Sequence, residues 1–320
     1  MKIAVFSCAG LGDCLLTTIL SQNLASHGHD RGHEVVTFHP FMSQMQSWFP
    51  RLPLRPFPPK LEEFDRFFIF YEKSDWMFKV LETCQAKFRD KTTVLNPIAT
   101  PNTDYPYWEE GRFDGNQTFA DNLVAFCKMI GIEKAVKSNG ISLPAGLQPR
   151  RYLKRVVLHP TSSRPGKNWP RLKFLKLAER LSENGYEPVF IVSPAERVEW
   201  PEAPLFSSLD EMARFVGESG FMIGNDSGIG HLASCMGVPT VSLFKNDRTA
   251  NFWRPSFAPG EICLPQGWLP NLKGLRWRDK YWQWGLSVGQ VFRTFEKFCV
   301  LCDQTSSLSA LGKEDIVRRP

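Results

Sequence analysis

Three short stretches carry residues of the types and spacing that bind anions or move protons. The richest runs Ile223-Gly224-Asn225-Asp226-Ser227-Gly228-Ile229-Gly230-His231-Leu232-Ala233. An apolar run, Phe221 to Ile223, enters it, and an apolar-periodic stretch (Ile229, Leu232, Ala233, Met236) leaves it. Gly237 and Pro239 stop that stretch before a second strand-like run, Thr240 to Phe244. A strand, a tight polar turn and a helix start aim backbone N–H groups and the positive end of a helix dipole at an anion. Ser227 and Gly228 fall where a phosphate can approach, and Asp226 where a hydroxyl-bearing group can be fixed. An ordinary connection with Asp226 or Ser227 as helix N-cap gives the same pattern.

The second stretch, Gly10-Leu11-Gly12-Asp13, follows a strand-like run directly. It is not a dinucleotide fingerprint, because Leu15 stands where the third glycine of G-x-G-x-x-G belongs. It does place Asp13 at a helix start, at the carboxyl end of a strand, where open α/β sheets present their ligands. A carboxylate there can take a proton from an attacking hydroxyl, or simply cap the helix. The third, Leu158-His159-Pro160-Thr161-Ser162-Ser163-Arg164-Pro165-Gly166-Lys167-Asn168-Trp169-Pro170, gathers three hydroxyls, a glycine and a lysine on one loop. Those groups suit a diphosphate, although the Walker A spacing is absent and a solvated polar loop reads alike.

The elements that must hold these turns alternate β-like runs with helical patterns, which predicts parallel sheets with crossover helices. In the first half the expected strands are Ile3 to Ser7, Val35 to Phe38, Phe67 to Tyr71 and Thr93 to Leu95. A helix is expected from Leu15 to a stop at Gly28, and another from Phe119 to Gly131. Pro144, Gly146 and Pro149 break structure before a basic cluster (Arg150, Arg151, Lys154, Arg155), so a boundary is placed there. The second half repeats the logic: strand Val156 to His159, a helix opened by Pro170 and ending at Gly185, strand Val189 to Val192, and a Ser208-x-x-Glu211 capping box. The expected division is an N-terminal domain over 1–148, a C-terminal domain over 149–302 and a loose tail over 303–320. All three chemistry-bearing turns sit at carboxyl ends of expected strands, which in a two-domain α/β protein face the cleft between domains.

Composition narrows the class further. The 320 residues are 42% hydrophobic and 22% charged, which are globular values, and a net charge of +6 favours acidic partners such as nucleotides, anionic glycans or a membrane face. No apolar run reaches membrane-span length, no secretory leader is visible, and the eight cysteines are scattered except for Cys299-x-x-Cys302. A cytoplasmic chain with reduced thiols and no metal site is expected. The segment 253–284 interleaves Trp253, Trp268, Trp277, Tyr281, Trp282 and Trp284 with Lys273, Arg276, Arg278 and Lys280. It is either a platform for glycan rings or a membrane face, or rings packing the second core. No nucleic-acid motif accompanies it, so no nucleic-acid partner is expected.

At these residues the chain resembles glycosyltransferase family 9, the ADP-heptose:lipopolysaccharide heptosyltransferases. The likeness is carried by Gly10-Leu11-Gly12-Asp13-Cys14-Leu15-Leu16-Thr17-Thr18, by Lys167-Asn168-Trp169-Pro170, and by Asp226 through Ala233 with Gly237-Val238-Pro239-Thr240. It implies an α/β protein of the GT-B fold, two Rossmann-like α/β/α domains facing each other across a cleft. It also implies an inverting transfer from a nucleotide-sugar donor, ADP-heptose, to a lipopolysaccharide core or related glycan, with no metal ion and no cofactor. A lipid-linked acceptor implies peripheral contact with the inner membrane. By position Asp13 matches the general base. Gly12, Thr161, Ser162, Ser163, Lys167, Asp226, Ser227, Gly228 and His231 match donor and substrate contacts, and Glu196, with Glu199 as its alternative, a ribose-binding carboxylate. A related transferase with another donor or a protein acceptor, and a non-catalytic sugar-nucleotide binder, stand as alternatives.

Overall fold

The computed structural model describes the backbone of residues 1–56, 60–95, 113–266, 271–272, 275–276 and 280–317. The chain divides into two compact units. The first comprises residues 1–147 with 206–214 and 251–253, and the second 148–205, 215–250 and 254–320.

Unit 1 is built on a five-stranded parallel sheet: β1 (Lys2–Phe6), β2 (Glu34–Phe38), β3 (Leu54–Arg55), β4 (Arg66–Phe70) and β5 (Thr92–Leu95), in the order β3-β2-β1-β4-β5. The central strand β1 is buried from Ile3 to Phe6 and pairs Phe6 with Phe38 on one side and Ile69 on the other. Continuous apolar runs suit such strands because helices cover both faces of a parallel sheet. The crossover helix α1 (Leu11–Gly28) is buried nearly all round, including Leu15, Leu16, Ile19 and Leu20, and packs against both the sheet and α3 (Phe119–Met129). Its buried Asn23 is satisfied: its amide nitrogen donates to the Val136 carbonyl at 2.9 Å, and its amide oxygen accepts from the Val136 N–H at 2.9 Å. Helix α2 (Asp75–Lys87) buries Met77, Leu81 and Cys84, one face at helical spacing.

Unit 2 repeats the plan with β6 (Tyr152–His159), β7 (Glu187–Phe190), β8 (Ser219–Asn225), β9 (Thr240–Leu243) and β10 (Gly260–Cys263), in the parallel order β10-β9-β8-β6-β7. The β6–β8 register slips between Tyr152 and Val156, where a Cβ on Gly220 would lie 2.1 Å from the Leu153 carbonyl oxygen, so only glycine fits that approach. Helix α4 (Arg171–Glu183) lays Phe174, Leu177 and Leu181 on the sheet, and the core is completed by Trp169, Trp200, Trp282, Phe292 and Phe295. Each such side chain contributes about 1.5–3 kcal/mol on leaving water. Helix α6 (Gly228–Cys235) lies in this unit, while α5 (Leu209–Gly217) and α7 (Asp247–Trp253) have residues in both; a small antiparallel hairpin of β11 (Asn271–Leu272) and β12 (Leu275–Arg276) follows, and finally α8 (Val288–Val317).

The long expected strands and helices lie where hydrophobic periodicity put them, with several strands starting one or more residues earlier. Lys2, Glu34, Arg66 and Glu187 open strands because the first ladder pairs need only backbone groups. The loose tail is corrected in part: helix continues from the core through Val317, in keeping with the helix formers Leu308, Ala310, Leu311, Lys313 and Glu314. The Ser208 capping box also closes differently, since the Glu211 N–H reaches the Ser208 hydroxyl at 3.1 Å while the Glu211 carboxylate turns back onto Ser207. Cys299 and Cys302 lie one helical turn apart in the core as buried thiols, and burial pushes Cys299 up to about 11. Among the described residues no helix is long and apolar enough to cross a membrane.

Candidate functional site

In unit 2 the polar residues of two stretches converge at the carboxyl ends of β6 and β8, which are neighbours in register, His159 beside Gly224. Asn225 makes the junction. It is 1% exposed; its amide nitrogen donates to the Pro160 carbonyl at 2.7 Å, and its oxygen accepts the Trp169 N–H at 3.0 Å. One buried amide therefore fastens both ends of the 160–169 loop to the end of β8. On that frame the Lys167 ammonium meets the Asp226 carboxylate at 2.6 Å, with the aspartate side chain only 12% exposed. The lysine loop is braced from beneath: Trp282 Nε1 donates to the Gly166 carbonyl at 3.1 Å and Trp169 Nε1 to that of Leu286 at 3.0 Å.

Two hydroxyls of this site stand apart. The oxygens of Thr161 and Ser227 are buried yet find no hydrogen-bond partner among the described residues. Ser227 occupies the N-cap position of α6 without using its side chain to cap it, and Gly228 begins the helix. Leaving such a group unmet costs about 1–3 kcal/mol, and a water or a ligand at this site supplies the partner. Ser162 donates to Asn168 Oδ1 at 2.7 Å and shapes the loop from inside, whereas Ser163 is exposed. His231 is buried on α6. His159, buried at the end of β6, has its pKa lowered by burial, against the pull of the Ile191 carbonyl 2.7 Å from Nδ1 and of Glu196. Glu196 closes a capping box, accepting the Ser193 N–H at 2.8 Å and hydroxyl at 2.7 Å, and Glu199 is exposed.

In unit 1 Asp13 lies in the first turn of α1, and Gly10, in extended backbone, takes the N-cap position. The carboxylate folds back so closely that a Cβ on Gly10 would lie 2.3 Å from Asp13 Oδ2. Gly12 is buried in the same turn. Sequence reasoning missed two residues beside this turn, one of which, Glu72, holds it. Glu72, just past β4, accepts the Ala9 N–H at 2.8 Å with one oxygen and Ser74 Oγ and Trp76 Nε1 with the other. His39, just past β2, accepts the Phe41 and Met42 N–H groups at Nδ1. Burial lowers His39 to about 4, although the carbonyls of Gly10, Ala9 and Cys8 favour its charged form. The signal that could have found both is their place at the strand ends flanking β1.

The aromatic segment divides as well. Trp282 is core at 1% exposure and Trp253 stacks on Phe119 at 5.0 Å, while Trp284 is 76% exposed and Tyr281 exposed beside it. Trp268, Trp277, Lys273 and Arg278 lie outside the described residues, and so does the side chain of Arg276.

Residues 120–273 match the model of glycosyltransferase family 9 (heptosyltransferase), a span that includes both the Lys167 loop and the Asp226 turn. That span, just under half of the chain, is similar to glycosyltransferase family 9. The chain is 27% identical over 150 residues to a lipopolysaccharide heptosyltransferase 3 of Escherichia coli, and 30% identical over 122 residues to the enzyme of that name from strain K12. Those matches cover 39% and 31% of this chain but only 44% and 33% of the relatives, less than half their length. Among solved structures, E. coli ADP-heptose lipopolysaccharide heptosyltransferase II superposes with a TM-score of 0.66 at 14% identity, covering 95% of this chain and all of that one. E. coli heptosyltransferase WaaC, solved with ADP-2-deoxy-2-fluoro heptose, gives 0.62 at 14% identity over 93% of this chain and 99% of that one. At such identity the likeness concerns architecture alone: the chain has the GT-B fold.

Proposed function

We propose that this chain is an inverting transferase that moves heptose from ADP-heptose to a lipopolysaccharide core glycan without a metal ion. The observation that carries the proposal is the convergence at the ends of β6 and β8, where a lysine paired to a carboxylate sits among hydroxyls left unpartnered in the fold. A diphosphate meets each need: its oxygens accept from Thr161, Ser227 and the first N–H groups of α6, and its charge draws Lys167 from Asp226. Asp226, once released, is an acceptor for hydroxyls of the donor sugar. Relatives of the same fold have been solved with ADP and with an ADP-heptose analogue, which supports the choice of donor.

In the reaction, Asp13 takes the proton of the acceptor hydroxyl as its oxygen bonds to the anomeric carbon. The bond from that carbon to the diphosphate oxygen breaks on the opposite face, and ADP leaves with the electron pair. Lysine and helix N–H groups stabilise the charge that grows on the leaving group, as donors aimed at a developing anion do. His231 and Glu196 belong to the donor side, and peripheral contact with the inner membrane goes with a lipid-linked acceptor. Asp13→Asn should lower turnover by roughly 10²–10⁴-fold while ADP affinity, read by calorimetry, stays as in the parent. An Asn variant that turns over like the parent removes Asp13 from the role of base.

A further inference from the structure

The strand β1 that leads to Asp13 is central in its sheet, so its terminal turn is open to fastening from β2 on one side and β4 on the other. On the β4 side the fastening is specific. Glu72 Oε2 accepts the Ala9 N–H at 2.8 Å, and its second oxygen is itself held by Ser74 Oγ at 2.8 Å and Trp76 Nε1 at 3.1 Å. The Cys8 thiol adds contacts of 3.6 Å to the Phe70 and Tyr71 carbonyls, and the Cys8 thiol is pushed up by burial first, then by the charges of Asp13 and Glu72. Both carboxylates thus flank one short turn, yet Glu72 is bound to the backbone of the turn and to its own helix start.

We infer that Glu72 is the positioning residue of the transfer: anchored by Ser74 and Trp76, it fixes the Cys8–Gly10 backbone and through it the direction of the Asp13 carboxylate. The inference rests on Asp13 acting as the base. A carboxylate that accepts three donors has little capacity left for substrate. A charge-assisted bond to a backbone N–H is among the stronger ones a fold can use to hold a loop. Misplacement of a reacting group by about 1 Å costs on the order of 10²-fold in rate, which sets the scale of the effect.

The test compares Glu72→Ala and Glu72→Gln with the parent in the full chain. Turnover is read as ADP release from ADP-heptose with a heptose-deficient lipopolysaccharide core, and backbone order as amide exchange at Ala9. Glu72→Ala should lose roughly 10–10²-fold in kcat with the donor KM within about twofold, and Ala9 exchange should quicken. Glu72→Gln, which keeps an oxygen acceptor but no charge, should recover much of both. On an Asp13→Asn background Glu72→Ala should add little, because residues acting as one unit are not additive. Unchanged Ala9 exchange in Glu72→Ala overturns the clamp whatever the activity does. A Gln variant as slow as the Ala variant, with Ala9 protected, overturns it too and assigns Glu72 a charge role. Failure of Asp13 as base appears separately, as turnover retained in Asp13→Asn alone.

Discussion

Removing either partner of the Lys167–Asp226 pair should have unequal consequences. The ammonium and carboxylate are 2.6 Å apart, but the lysine side chain is 32% exposed and the aspartate 12%. In Lys167→Ala a mostly buried carboxylate loses its cation. Exposed pairs are worth about 0.2–1 kcal/mol and breaking fully buried ones costs about 3–5. The intermediate burial places this loss near 2 kcal/mol, or roughly 4–8 °C in Tm for a unit of this size. In Asp226→Asn the lysine keeps a path to water along its flexible stem, so the loss should stay below about 1 kcal/mol. Ligand binding should separate the two variants in the same sense. With ADP as the probe, Lys167→Ala loses a charge-assisted contact of about 1.5–3 kcal/mol, a weakening of roughly 10–150-fold. Asp226→Asn frees the lysine from its competitor and should hold ADP at least as tightly as the parent. Thermal shift with and without ADP, followed by calorimetry, reads both effects. The reasoning is refuted if Asp226→Asn is the more destabilised variant, or if Lys167→Ala binds ADP like the parent.

Two further substitutions probe unit 1. Gly10→Ala introduces no backbone strain, since Gly10 is in extended conformation, but its methyl would take the place of Asp13 Oδ2. It should therefore leave Tm within about 2 °C of the parent while lowering kcat by 10-fold or more on the order of a misplaced base; equal losses in both would assign Gly10 a purely structural role. Asp210 is an acid-sensitive contact of the unit: partial burial raises its pKa, but Arg214 at 2.9 Å and Trp48 Nε1 at 2.7 Å outweigh that, and the net shift is downward. A carboxyl depressed in the fold stabilises it above its unfolded pKa and stops doing so as pH falls through the folded one. Melts of Asp210→Asn should accordingly fall below the parent at pH 7, with the gap narrowing only as pH falls below the ordinary aspartate value of about 3.9; a gap that widens as pH falls through the acid range contradicts the assignment.

The parts of the molecule written in apolar periodicity were legible in the sequence. The alternation of runs such as Ile3 to Phe6 with stretches such as Leu15 to Leu24 demands parallel strands and crossover helices, and the glycine-bearing turns mark the strand ends that carry Asp13, Lys167 and Asp226. Short or polar elements were not legible. The two-residue β3 and the edge strand β10, reading Gly-Glu-Ile-Cys, carry too little pattern to distinguish them from loop. The partners of the site side chains were out of reach for a different reason. Which carbonyl Asn225 meets, or that Glu72 binds Ala9, depends on strand order, and strand order places β4 beside β1 although 59 residues lie between them in sequence. Glu196 shows the converse: Ser193-Pro194-Ala195-Glu196 already spells a capping box, and the fold makes it, so a carboxylate singled out for a ligand has a local partner first.

The buried polar atoms around the Asp226 turn sort into two kinds, and the sorting itself argues for a binding site. Asn225 is satisfied at both ends of its amide, and a substitution there would release two stretches of backbone at once. One residue beyond the Asp226 neighbour, Ser227 is left unmet, and so is Thr161, across the paired strands. The same short segment therefore satisfies one buried polar atom fully and leaves the next hydroxyl open to a water or a ligand. The two hydroxyls together cost about 2–6 kcal/mol against a total stability of about 5–15 kcal/mol for a domain. A loss on that scale persists where another molecule recovers it. Ser227→Ala and Thr161→Ala should then raise Tm without ligand by a degree or more each, at about 2–4 °C per kcal/mol, while weakening ADP binding. Stabilised apoprotein with undiminished ADP affinity would separate the two hydroxyls from the donor.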